Sequence, residues 1–87
     1  MTDLKITQMA AAIQQYITEN KLSELKPKDL MPMLVGKGFF NKDHRAGLPL
    51  RKVLRDLDKR DMLYLIPQVR ADRKAVNVSW FFNAIEV

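Results

Sequence analysis

The chain contains no cysteine among its 87 residues. Disulfide staples and thiolate metal sites are therefore excluded, and the absence fits a reducing compartment. Histidine is nearly missing too, with His44 alone. Metal centres and serine–histidine nucleophilic pairs need several converging ligands, or a base with a residue that orients it. One histidine between Asp43 and Arg45 reads instead as a surface polar cluster. Glycine is scarce, and Gly36-Lys37-Gly38 is too short for a phosphate-cradling loop. No catalysis, cofactor or metal is expected. Long apolar runs are lacking as well. Runs such as Leu63–Ile66 fall far short of the ~20 residues that span a membrane. The first residues offer glutamine, threonine and alanine rather than a basic stretch followed by a greasy block. A secretory leader is not expected, and a cytoplasmic location is the default.

What remains is ordinary in bulk and uneven in detail. The apolar share of 47% and charged share of 29% suit one folded domain over residues 1–87 rather than a disordered chain. The net charge of +5 is placed asymmetrically. Residues 44–87 hold nine basic and five acidic side chains, and all six arginines lie there. Arginine presents paired donors in a planar fork, which suits phosphate and guanine. A solvated basic surface that keeps the chain soluble accounts for the same charge.

Four segments can be read along the chain. Ile6, Met9, Ala10, Ile13, Tyr16 and Ile17 recur at three- and four-residue steps, which predicts a helix over Leu4–Asn20 with Thr2 or Asp3 as cap. A shorter helix is expected from Leu30 to Lys37. Asp29 would be its cap, Pro32 would sit in its first turn, and Leu30, Met33 and Leu34 would form its buried stripe. Gly36 and Gly38 supply its stop, one of them left-handed. Ser23–Lys28 reads as a connector, and Phe39 and Phe40 as a plug on the core. A third helix from Leu48 or Pro49 to Arg60 buries Leu50, Val53, Leu54 and Leu57 and turns Lys52, Arg55 and Lys59 outward, flanked by Arg51. Asp56 stands three residues from Lys59, a spacing that suits an ion pair. Finally, Leu63–Val69 and Val76–Phe82 are expected to pair as a hairpin around a polar loop, Arg70–Lys74. Its inward row would be Val76, Val78, Trp80 and Phe82.

The order of two helices, an amphipathic basic helix and a hairpin with a basic tip resembles the winged helix-turn-helix family. The resemblance rests on the string Leu50-Arg51-Lys52-Val53-Leu54-Arg55-Asp56-Leu57-Asp58-Lys59-Arg60-Asp61-Met62-Leu63. It implies an α+β fold of three helices followed by a two-stranded antiparallel wing. It also implies double-stranded DNA as partner and a role as a small transcriptional regulator. A helix ~10–12 Å wide fits the major groove of B-form DNA. The resemblance therefore places Arg51, Lys52 and Arg55 near base edges or flanking phosphates, and Lys59 on phosphate. Arg70, Arg73 and Lys74 of the wing would lie along the backbone or minor groove, with Lys28 and Lys37 adding phosphate contacts. The connection Phe39–Gly47 is longer than a tight helix-turn-helix allows, and Asp72 at the wing tip would repel phosphate.

The competing reading is a protein-interaction module, since fold does not fix function. There, exposed aromatics would seat a homodimer or a protein partner. Phe81, which alternates away from the inward row, Tyr64 and the Phe39–Phe40 pair are the candidates.

Overall fold

A buried apolar stripe needs a second surface to cover it, and the chain supplies that surface three times over. The computed structural model describes residues 1–85. Three helices are followed by an antiparallel hairpin, an α+β layout: α1 (Asp3–Asn20), α2 (Pro27–Gly36), α3 (Leu48–Lys59), a 3-10 turn (Leu63–Leu65), then β1 (Val69–Arg73) and β2 (Val78–Phe82).

Helix α1 starts where Thr2 accepts a hydrogen bond from the Lys5 N–H at 3.2 Å. It ends at Lys21, which turns left-handed (φ 52°) so that the Leu22 N–H reaches the Ile17 carbonyl at 3.0 Å. Its stripe of Ile6, Met9, Ala10, Ile13 and Ile17 is buried.

Helix α2 begins three residues before the expected start. Pro27 takes the first helical position, where its missing N–H costs nothing. Asp29 is not the cap. It is the third residue of the helix and accepts from the Lys26 N–H at 2.9 Å, three positions back. The buried face is the i, i+3, i+4, i+7 row Pro27, Leu30, Met31 and Leu34, so Met31 is fully buried while Met33 is only half-buried. With the earlier start, Pro32 falls in the second turn, on the exposed side. Gly38 provides the left-handed stop at φ 85°.

Helix α3 matches its expected span and buries Leu50, Leu54 and Leu57. It is launched by three successive residues with positive φ: Arg45 (52°), Ala46 (48°) and Gly47 (90°). The Asp43 carboxylate holds this run by accepting from the Gly47 N–H at 2.9 Å.

The hairpin differs from the expectation. Leu63–Leu65 forms a 3-10 turn, Pro67 lies in the turn before β1, and the first strand is the polar segment Val69–Arg73. Arg70 and Arg73 are therefore strand residues, and the tip is Lys74–Asn77, closed by the Lys74 N–H on the Asn77 carbonyl at 2.9 Å. Val76 is exposed at that tip instead of facing inward, whereas Trp80 and Phe82 are buried. The register pairs Val69 with Phe82 and Arg73 with Val78.

The segment expected to be a plain connector adds a third rung to this sheet. Leu25 pairs with Phe82 in both directions, at 3.0 and 2.8 Å. Phe82, fully buried, thus ties the sheet into the core of α1, α2 and α3. Beyond it the chain returns to α1, where the Gln14 side chain accepts from the Ile85 N–H (2.8 Å) and donates to the Ile85 carbonyl (3.0 Å). Phe39 and Phe40 pack half-buried against the core. No helix among the described residues is long and apolar enough to cross a membrane.

Candidate nucleic-acid interface

At ~100° per residue, the core residues of α3 leave one arc for solvent and two flanks. Lys52, Arg55 and Lys59 occupy the solvent arc, and all three are exposed. None of them makes a salt bridge among the described residues. Arg55 lies about 40° round the helix from Arg51 and about 60° from Asp58, so it borders the flank nearest the hairpin.

The carboxylates of α3 are both engaged by arginines. Asp56 pairs with Arg60 at 3.1 Å, one turn along the same helix, instead of with Lys59. Arg60 also reaches Asp3 of α1 at 3.5 Å, and its guanidinium pKa is raised chiefly by the hydrogen bond to Asp56. Asp58 turns the other way and accepts two hydrogen bonds from Arg73 of β1, at 2.7 and 2.8 Å. That forked contact raises the Arg73 pKa and holds the Asp58 carboxyl below its ordinary value, since charge-assisted donors favour the ionised form. Its structural effect is to fix the hairpin to the side of α3.

The hairpin therefore brings fewer open cations than its sequence promises. Arg73 is taken by Asp58. Arg70 pairs with Glu24 at 3.2 Å and lies over the Phe81 ring, 5.2 Å from its centroid. Lys74 at the tip makes no salt bridge among the described residues. Asp72 stays exposed on β1. Arg51 is not open either: it is half-buried, donates to the Arg45 carbonyl at 2.6 Å, and keeps its Nε buried without a partner.

A cleft of about 470 Å³ lies where α2, α3 and the hairpin meet. Lys26 and Lys28 from the start of α2, Arg51 from α3 and Lys74 from the tip line it, with Val78, Ser79, Trp80 and Phe81 of β2 as its other wall. Gly47 makes this junction close. A side-chain carbon there would stand 2.7 Å from the Lys28 nitrogen. Lys37, by contrast, caps the far end of α2, about 13 Å along the helix axis from Lys28, and does not line the cleft.

Of the nine expected site residues, the structure thus gathers Lys28, Arg51 and Lys74 at the cleft. It leaves Lys52, Arg55 and Lys59 open on α3, binds Arg70 and Arg73 to carboxylates, and sets Lys37 apart. Lys26 and the β2 edge were missed. Their only signal was Leu25-Lys26-Pro27, an extended residue followed by a helix-starting proline. Tyr64 alone among the aromatics is exposed, since Phe81, Phe39 and Phe40 are all half-buried. No group of three or more metal-ligating side chains stands together among the described residues. Comparison with protein-family models, with curated proteins and with solved structures gives no match.

Proposed function

We propose that the chain is a winged-helix module that binds double-stranded DNA as a small transcriptional regulator, with the solvent face of α3 in the major groove. One observation carries the reading: both carboxylates on α3 are consumed by ion pairs on its flanks. Among the described residues, Lys52, Arg55 and Lys59 remain as a cationic strip that makes no salt bridge. The Asp58–Arg73 fork places the hairpin beside that strip, so the Lys74 tip extends the same surface. The phosphate set is therefore Lys52, Arg55, Lys59, Lys74 and Lys28, rather than the arginines of β1.

The test is fluorescence anisotropy of a labelled random-sequence duplex at rising salt. Each neutralised phosphate contributes about 0.9 to the slope of log K against log salt. The triple variant Lys52→Ala/Arg55→Ala/Lys59→Ala should flatten that slope by about 2.7. Binding that is absent at low salt, or a slope untouched by the triple change, rejects the assignment.

A further inference from the structure

Backbone parity shows that one edge of β2 is unfilled. In an antiparallel ladder the N–H and C=O of a residue point to the same side, and the side alternates along the strand. Phe82 uses both groups on Leu25. Its neighbours of opposite parity therefore face β1, as the Asn83 N–H does in reaching the Gln68 carbonyl at 3.0 Å. Trp80 and Val78 share the parity of Phe82, so their N–H and C=O groups point away from β1. On that side the chain has left the sheet at Lys26 to begin α2. The edge groups of Trp80 and Val78 meet no hydrogen-bond partner among the described residues. They face the cleft that Lys26, Lys28, Arg51 and Lys74 surround.

We propose that this edge receives an extended acidic segment of a partner protein as an added β-strand, a role beyond duplex binding. Two features select the occupant. The edge alternates donors with acceptors, which matches another peptide backbone. A phosphate chain is acceptor-only and would set its oxygens against the Trp80 and Val78 carbonyls. The rim carries four cations, and no carboxylate lines the cleft. Acidic side chains at alternate positions of the incoming strand all project to one face, where they complement that rim. A second copy of this chain is disfavoured, because it would bring its own Lys26, Lys28 and Lys74 up against the same cations around the cleft.

The probe is a fluorescent decapeptide alternating glutamate with threonine, titrated into the full chain, with backbone amide shifts as a second readout. Two further peptides carry N-methyl groups, one on the glutamate nitrogens and one on the threonine nitrogens. Only one set of nitrogens faces β2 when the glutamates face the rim. One methylated peptide should bind at least ~10-fold more weakly and the other about as tightly as the parent. Val78→Pro removes a cleft-facing donor without breaking a bond to β1, and should weaken binding comparably while circular dichroism stays native. The shifts should centre on Val78 and Trp80. Equal binding of both methylated peptides reduces the effect to charge alone and overturns the proposal. Duplex DNA shifting these amides when the peptide does not, or a homodimer that Val78→Pro dissociates, overturns it as well. The α3 triple variant should keep the peptide. Peptide binding by a wild-type chain that takes no duplex therefore counts only against the nucleic-acid reading.

Discussion

Replacing Gly47 by alanine isolates the junction on which both surfaces depend. Gly47 has φ 90°, and an added side-chain carbon would lie 2.7 Å from the Lys28 nitrogen and 3.0 Å from two atoms of Pro27. The left-handed backbone alone costs an alanine roughly 1–2 kcal/mol. The close approach adds to this, because the obstruction is helix backbone in α2 and not a flexible side-chain end. A total of about 3 kcal/mol or more is expected. The other glycines separate the two contributions. Gly38 has φ 85° with open space around it, so Gly38→Ala should show the backbone cost alone, about 1 kcal/mol after the gain from a stiffer unfolded chain. Gly36 lies in α2 with neither constraint, and Gly36→Ala should stabilise by about 0.5–1 kcal/mol. Urea unfolding followed by circular dichroism ranks the three. In a thermal scan each kcal/mol corresponds to about 4–8 °C in Tm for a domain of this size. If Gly47→Ala unfolds within about 0.5 kcal/mol of Gly38→Ala, the tight packing of α3's start on α2 is wrong.

Two further outcomes follow from the ion pair and the core. Asp58→Ala frees the Arg73 guanidinium and removes a negative charge beside the α3 strip. It should tighten duplex binding and steepen the salt slope by up to about 0.9; a weaker, flatter response would show that the fork orients the hairpin more than it withholds a cation. The folded Asp58 carboxyl titrates below its ordinary 3.8, so its stabilising effect is complete above that value and disappears as pH falls through the lowered one. The stability gap between wild type and Asp58→Ala should therefore be flat from neutrality down to about pH 5 and close only in stronger acid. Ile13→Ala empties a fully buried position on α1 and should cost about 2–5 kcal/mol, read as a lower urea midpoint at unchanged m.

The helices were legible where local signals agreed. Thr2 as cap, the α1 stripe and the leucines of α3 carry their own periodicity, and tertiary packing had only to accept it. The start of α2 was misplaced because Asp29 looks like a cap from sequence, while it acts from inside the first turn on Lys26. The hairpin slipped for a different reason. Val69-Arg-Ala-Asp-Arg73 has little β-propensity and becomes a strand through its pairing with Val78–Phe82, a tertiary effect. For the candidate site, exposure of Lys52, Arg55 and Lys59 could be read from the helical wheel. The capture of Arg73 by Asp58 and of Arg70 by Glu24 could not, because each joins separate elements. The vacant β2 edge depends on a single-residue bridge at Leu25, too brief to leave a periodic trace.

That bridge also bears on how quickly the molecule assembles. Each helix, and the hairpin, closes between near neighbours and can form early. The Leu25–Phe82 rung and the adjoining contact of Glu24 with Asn83, 59 positions apart, must instead wait for a large loop to find its ends. Until they meet, the apolar faces of the helices lack Phe82, so assembly is expected to be slowed by the late closure of this rung together with the Gln14–Ile85 contact, 71 positions apart.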